Sequence, residues 1–330
     1  MRKLALASCL LALIFMGCKK SDTPSQDLSD SQSAISKRTC GSYEVLQEQL
    51  KTDPGLQQRM DQIEAFTKKF IASERYRQTN STVTIPVIVH VVYNTPSQMI
   101  NAQQIQSQID VLNEDYNDQN ADRTSLPKNS FQNVESGGFN VHFTLAQAKY
   151  VKTKTKSFST NDAVKYTKRG GDDVIDPQHN LNIWVCNLGQ NLLGYAQFPG
   201  GAWPTDGVVI LYSAFGSKAK YSGGTYIPTY DLGRTATHEI GHWMNLRHIW
   251  GDDGGSCSGT DYVDDTPNQA SENYGCPTWP HISCNNNGDM SMNYMDYTDD
   301  ACMYIFSQGQ TARSLAVFAS GGPRAVLAGN

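Results

Sequence analysis

The chain has 330 residues, enough for one large domain with a small appendage or for two domains. With 39% hydrophobic and 18% charged residues, its composition is that of an ordinary globular protein. A net charge of −5 and scattered basic residues leave no footprint for a nucleic acid or an anionic membrane surface, so neither is expected as a partner.

The N-terminus reads as a targeting segment. Arg2 and Lys3 precede an apolar run over 4–16, too short to span a bilayer comfortably and placed like an export signal. It ends in Phe15-Met16-Gly17-Cys18, which resembles a bacterial lipobox and predicts a lipoprotein signal over 1–17 with lipidation of Cys18. Phe is less usual than Leu at the first lipobox position, so cleavage by an ordinary signal peptidase stays open. The expected location is outside the cytoplasm of a bacterium, either as an outer-membrane or cell-surface lipoprotein or as a secreted protein. A lipid on Cys18 would be the only membrane contact, and a monomer is the expected state. Residues 21–36 are polar and Ser-rich and read as a flexible tether.

Residues 43–77 read as helical, with Leu46, Leu50, Leu56, Met60, Ile63, Phe66 and Phe70 recurring at helical steps and an interruption at Asp53-Pro54-Gly55. They look like a small helical pro-segment, so tether and pro-segment together span 18–81 and a catalytic domain spans 82–330. Residues 82–93 are a β-branched run, predicted as a buried strand. An amphipathic helix is predicted over 101–116, with Ile105, Ile109, Leu112 and Tyr116 on one face. Strands follow at 139–148, 181–187 and 208–212, with a Gly/Pro-rich loop at 194–206 between the last two. A helix is predicted over 231–245 with Asp231 as its N-cap, then irregular Gly/Asp/Cys-rich chain over 251–293 and a last helix over 307–319. This order gives an α/β fold with a twisted, mostly parallel sheet over a helix.

The chemistry concentrates in Thr237-His238-Glu239-Ile240-Gly241-His242-Trp243-Met244-Asn245-Leu246-Arg247-His248. On a helix, His238 and His242 share one face a turn apart, and both can bind one Zn²⁺. Glu239, beside them, can take a proton from a water at the metal. His248 can complete the set only if the helix stops after Asn245 and the chain turns with a positive φ. The long metzincin pattern HExxHxxGxxH has Gly there; Asn is the commonest non-Gly residue in that conformation.

With this string, the chain resembles the pappalysin family of metzincins from about residue 82 to the C-terminus. The resemblance is also carried by Ile85-Pro86-Val87-Ile88-Val89-His90-Val91-Val92-Tyr93, by Leu192-Leu193-Gly194-Tyr195-Ala196-Gln197-Phe198-Pro199, by Asp265-Thr266-Pro267 and by Asn293-Tyr294-Met295-Asp296-Tyr297. It implies a metzincin-like zincin catalytic domain with a loop-rich, disulfide-stapled lower subdomain, one catalytic zinc, and hydrolysis of peptide bonds in extracellular proteins. It implies that Met295 is the Met-turn residue under the zinc site. Tyr297 would hydrogen-bond the developing oxyanion, although from the residues alone its phenol could equally be a structural partner.

The chain has eight cysteines; Cys9 lies in the signal and Cys18 at the lipobox. In an oxidising compartment the other six are disulfide candidates, and four of them crowd into 257–302. Four cysteines allow three pairings; the resemblance selects Cys257–Cys284 and Cys276–Cys302. It also implies structural calcium in the acidic stretch around Asp252, Asp253, Asp261, Asp264 and Asp265, with Asp261 and Thr266 as the best-matching ligands; a solvated acidic loop is the alternative. Bacterial relatives prefer Arg or Lys just after the cut, and Asp299 and Asp300 could line a pocket for that side chain.

Arg38-Thr39-Cys40-Gly41 resembles the cysteine switch of pappalysin zymogens, in which Cys40 would be a zinc ligand in the latent form. A Cys40–Cys186 disulfide is the competing reading. Arg75 and Arg77 are candidate maturation sites. Two other functions stay open: a surface lipoprotein binding module with a structural zinc, against which Glu239 argues, and a zinc hydrolase of another type, such as an amidase.

Overall fold

The computed structural model describes residues 35, 37–73, 82–128 and 130–329. The export signal, Cys18, most of the tether and the candidate maturation sites Arg75 and Arg77 lie outside the described residues. From residue 35 onward the chain forms one compact unit.

Two helices come first, α1 (Ser42–Thr52) and α2 (Leu56–Ala72), separated where Pro54 and Gly55 interrupt the helical pattern. Strand β1 (Val83–Tyr93) follows, then α3 (Ala102–Asp115), whose first turn is capped by the Asn101 side chain accepting from the Gln104 amide. The remaining elements are β2 (Val141–Lys152), β3 (Leu181–Cys186), β4 (Gly194–Ala196), β5 (Val208–Leu211), α4 (Arg234–Trp243) and α5 (Gln308–Ala316). The sheet order is β2-β1-β3-β5-β4, parallel throughout except for the antiparallel β4–β5 pair. β1 and β3 lie inside the sheet, and their continuous apolar runs are buried, as expected for parallel strands covered on both faces. Between residues 251 and 293 no helix or strand forms. That region is held by the disulfides Cys257–Cys284 and Cys276–Cys302.

Two expectations differ from the structure. The Gly/Pro-rich stretch begins as a strand: Gly194, Tyr195 and Ala196 pair with β5 and form the edge of the sheet. Three residues carry no alternation for a sequence pattern to reveal. Helix α4 also begins later than residue 231, after Gly233 in the left-handed conformation, and Asp231 does not cap it. The acceptor comes from far along the chain: Asp300 Oδ2 takes the amides of Leu232 (2.8 Å) and Arg234 (3.3 Å).

Candidate metal centre and active site

Helix α4 runs beneath β4 and β5 and carries His238, Glu239 and His242, all buried. It stops after Trp243. Asn245 then adopts φ +74°, the left-handed turn required to bring His248 back toward the other histidines. Arg313 of α5 fixes this turn by donating from Nε to the Asn245 carbonyl (2.8 Å). The contact joins residues far apart in sequence, and no sequence signal marks it.

Each imidazole is oriented through Nδ1. His238 donates to the Tyr294 carbonyl (2.7 Å), His242 to the Leu246 carbonyl (2.9 Å) and His248 to the Asp252 carboxylate (2.7 Å). These partners place the ring proton on Nδ1, so three Nε2 lone pairs face one another. His242 Nε2 lies 3.1 Å from the Nε2 atoms of both His238 and His248. Burial and the neighbouring histidines push His238 and His242 well below the usual imidazole range, which keeps them in the neutral, ligating form. Three converging lone pairs in a dry site need a cation, and their spacing suits tetrahedral Zn²⁺.

Cys40 faces the same three nitrogens. Its sulfur and the three histidine nitrogens lie within 4.8 Å of one another. Cys40 and Cys186 are both free and buried, so the disulfide alternative is not formed. Burial, together with the charge of Glu239, raises the Cys40 thiol well above its ordinary value. The segment around Cys40 is bound to the sheet edge. The Leu193 amide donates to the Thr39 carbonyl (3.0 Å) and the Gly41 amide to the Gly194 carbonyl (2.9 Å).

Glu239 accepts from Ser42 Oγ (2.8 Å) and from the Cys40 thiol (3.2 Å). Burial raises its carboxyl to about 7, against the opposing effect of these hydrogen bonds. Gly194 allows this packing, since a β-carbon there would stand 2.8 Å from Glu239 Cγ. On the other side of the centre, the Tyr297 hydroxyl accepts from the Cys40 amide (3.2 Å) and donates to the Cys40 carbonyl (3.3 Å). Its ring stands edge-on to His248 and Trp250. The buried Asp296 carboxylate holds the Tyr297 amide at 2.8 Å. Met295 lies fully buried beneath α4 at Gly241, where a β-carbon would be 2.5 Å from its sulfur.

Of the two candidate pocket aspartates, Asp300 is fully buried and Asp299 is partly exposed. Asp300 Oδ1 receives Arg38 Nη2 at 2.5 Å, and Arg38 also donates to Thr235 Oγ1 and the Thr298 carbonyl. Asp299 shares no hydrogen bond with Arg38 among the described residues. Asp261, also buried, accepts from Thr266 Oγ1 (2.7 Å) and the Val263 amide (3.0 Å).

Comparison with known proteins agrees with this geometry. The profile of the pregnancy-associated plasma protein-A family of peptidases matches residues 165–319. An extracellular metalloprotease of Coccidioides posadasii is 31% identical over 283 residues, covering 84% of this chain and 87% of that protein. The chain belongs to the pregnancy-associated plasma protein-A family. Within this pappalysin family, a Tannerella forsythia promirolysin variant shares 44% identity at a TM-score of 0.79, covering 88% of this chain and 97% of the other. Mature mirolysin in complex with a cleaved peptide shares 48% identity at a TM-score of 0.72, covering 76% and 96% respectively. The chain is thus a metzincin zinc metalloprotease, and the binding-module alternative is not favoured.

Proposed function

We propose that the chain is an exported endopeptidase, made latent by its own N-terminal segment, that hydrolyses peptide bonds before Arg or Lys. The observation that carries the reading is the convergence of Cys40 with His238, His242 and His248 while Arg38 pairs with the buried Asp300. The N-terminal segment lies where a substrate would, paired with the β4 edge, and a peptide would add to the same edge. On this reading residues 18–81 are tether and pro-segment, and 82–330 form the catalytic domain.

His238, His242 and His248 hold the zinc, with Cys40 as a fourth ligand in the latent chain. When bound, zinc supplies a Lewis acid that polarises the scissile carbonyl and acidifies the attacking water. Glu239, released from Ser42 and Cys40, takes the water's proton and passes it to the leaving amine. The Tyr297 hydroxyl, released from the Cys40 backbone, donates to the developing oxyanion. Asp300 pairs with the basic side chain after the cut, as it does with Arg38.

Substrates are proteins or peptides; mirolysin has been seen with a cleaved peptide. Export is supported by the leader and by relatives named extracellular metalloproteases, and lipidation of Cys18 rests on the lipobox alone. Structural calcium at Asp261 and Thr266 is supported by burial of a carboxylate that forms no salt bridge among the described residues, Arg313 acting on it only at longer range.

The test uses the full chain with a quenched peptide carrying Arg after the cut. The intact wild type should be silent, limited proteolysis should release activity, and Cys40→Ala should be active without it. An intact wild type as active as the processed enzyme would contradict the latency, and equal rates with Ala in place of Arg would contradict the pocket.

A further inference from the structure

Arg247 lies between two zinc-ligand positions, and among the described residues no carboxylate forms a salt bridge with it; Asp252 and Glu64 line the same cavity and act on it only at longer range. Its guanidinium stacks on Phe198 at 4.1 Å, and Phe198 in turn lies 5.2 Å from the His242 ring. Its Nε is buried without a hydrogen-bond acceptor. Arg313 lines the same cavity, of about 250 Å³. Its carboxylate partner is Glu64 of α2, at 2.7 Å. Leu46 and Leu56 of α1 and α2 cover Phe198. Two arginines, and an aromatic floor that touches the His242 ring, are therefore covered by the N-terminal helices in the latent chain. Loss of those helices would leave Arg313 without Glu64.

We infer that Arg247, with Phe198 beneath it and Arg313 beside it, forms a subsite for an Asp or Glu side chain of the substrate on the side of the metal opposite the Asp300 pocket. The inference rests on the reading that Asp300 receives the residue after the cut, which puts Arg247 on the side before it. An extended peptide advances about 3.4 Å per residue. Arg247 reaches the His242 ring through Phe198, so the acidic side chain is sought a few residues before the cut. A peptide carboxylate would take the role that Glu64 plays in the latent chain, and a guanidinium fork suits that partner better than an ammonium would.

The experiment uses the full chain activated by limited proteolysis and peptides with Arg after the cut. Glu, Gln or Lys is placed in turn at the second, third and fourth residue before it. We expect kcat/KM for Glu to exceed that for Gln by about tenfold at one of these positions, with Lys slowest and the preference shrinking as salt rises. In Arg247→Gln the Glu-to-Gln ratio should fall toward one, and in Arg247→Glu the Lys peptide should overtake the Glu peptide. Equal rates for Glu and Gln at all three positions, or an undiminished ratio in Arg247→Gln, would overturn the proposal. So would a Glu preference found only after the cut. A parallel set with Ala after the cut tests the Asp300 pocket separately: loss of the Arg preference there with the Glu preference intact would sink the pocket reading and leave the acidic subsite standing.

Discussion

Replacing Gly241 with Ala is the sharpest probe of the floor under the metal centre. A β-carbon at this position would stand 2.5 Å from the Met295 sulfur and 3.3 Å from its terminal carbon. Two effects oppose each other. In a helix interior Ala is favoured over Gly by about 1 kcal/mol, whereas forcing a methyl group into a filled core costs about 1–3 kcal/mol. Met295 is fully buried, and its amide is anchored to Asn293 Oδ1 at 2.9 Å, so it has little freedom to withdraw. The clash should win, with a net loss of up to about 2 kcal/mol. Urea unfolding at fixed zinc concentration measures this, in the wild-type background and in Met295→Ala. Removing the sulfur removes the obstacle, so in that second background Gly241→Ala should become neutral or stabilising. A stabilising Gly241→Ala with Met295 in place would refute the reasoning, because the sulfur would then be free to move aside.

Other consequences are open to direct measurement. Asp252→Ala removes the acceptor that orients His248, and zinc affinity in a chelator competition should drop about 10–100-fold; unchanged affinity would mean that His248 is oriented by its stacking on Trp250 alone. Asn245→Val places a β-branched residue at φ +74° and should cost about 1–3 kcal/mol, with zinc binding weakened, while Asn245→Gly should retain both; equal stability of the two variants would contradict the turn's importance. Burial raises Asp261 to about 7, against hydrogen bonds from Thr266 and Val263 that act the other way. Without calcium the folded chain therefore keeps a proton that the unfolded chain has lost above about pH 4. The folded state binds more protons, so this group's contribution to stability falls as pH rises from about 4 to 7. Millimolar calcium should raise Tm at pH 8 far more than at pH 5, and Asp261→Asn should abolish the difference. A calcium effect independent of pH would separate the ion from Asp261.

The zinc string was legible because its logic is local. Two histidines four apart on a helix, and an Asn able to take a positive φ, need no knowledge of the rest of the chain. Long apolar or amphipathic elements such as β1 and α3 were legible for the same reason. The parts that escaped are pairs made by tertiary structure. Asp300 replaces Asp231 as the acceptor at the start of α4, and Arg313 fixes the Asn245 turn from the last helix. Arg324 holds Asp206 through both oxygens and the Trp243 carbonyl through Nε, tying the C-terminal segment to the end of the active-site helix. None of these residues carries a periodic signal. The choice between Cys186 and the histidines as the partner of Cys40 likewise depends on where β4 lies, and a three-residue edge strand leaves no pattern to read.

The most direct test of the account is cleavage-site mapping on a mixed peptide library with the activated chain, with and without a zinc chelator, beside Glu239→Ala. The account predicts cuts clustered before Arg or Lys that disappear with the chelator and in the variant. Cuts that survive in Glu239→Ala, or the absence of any cut by a folded, zinc-loaded chain, would contradict it.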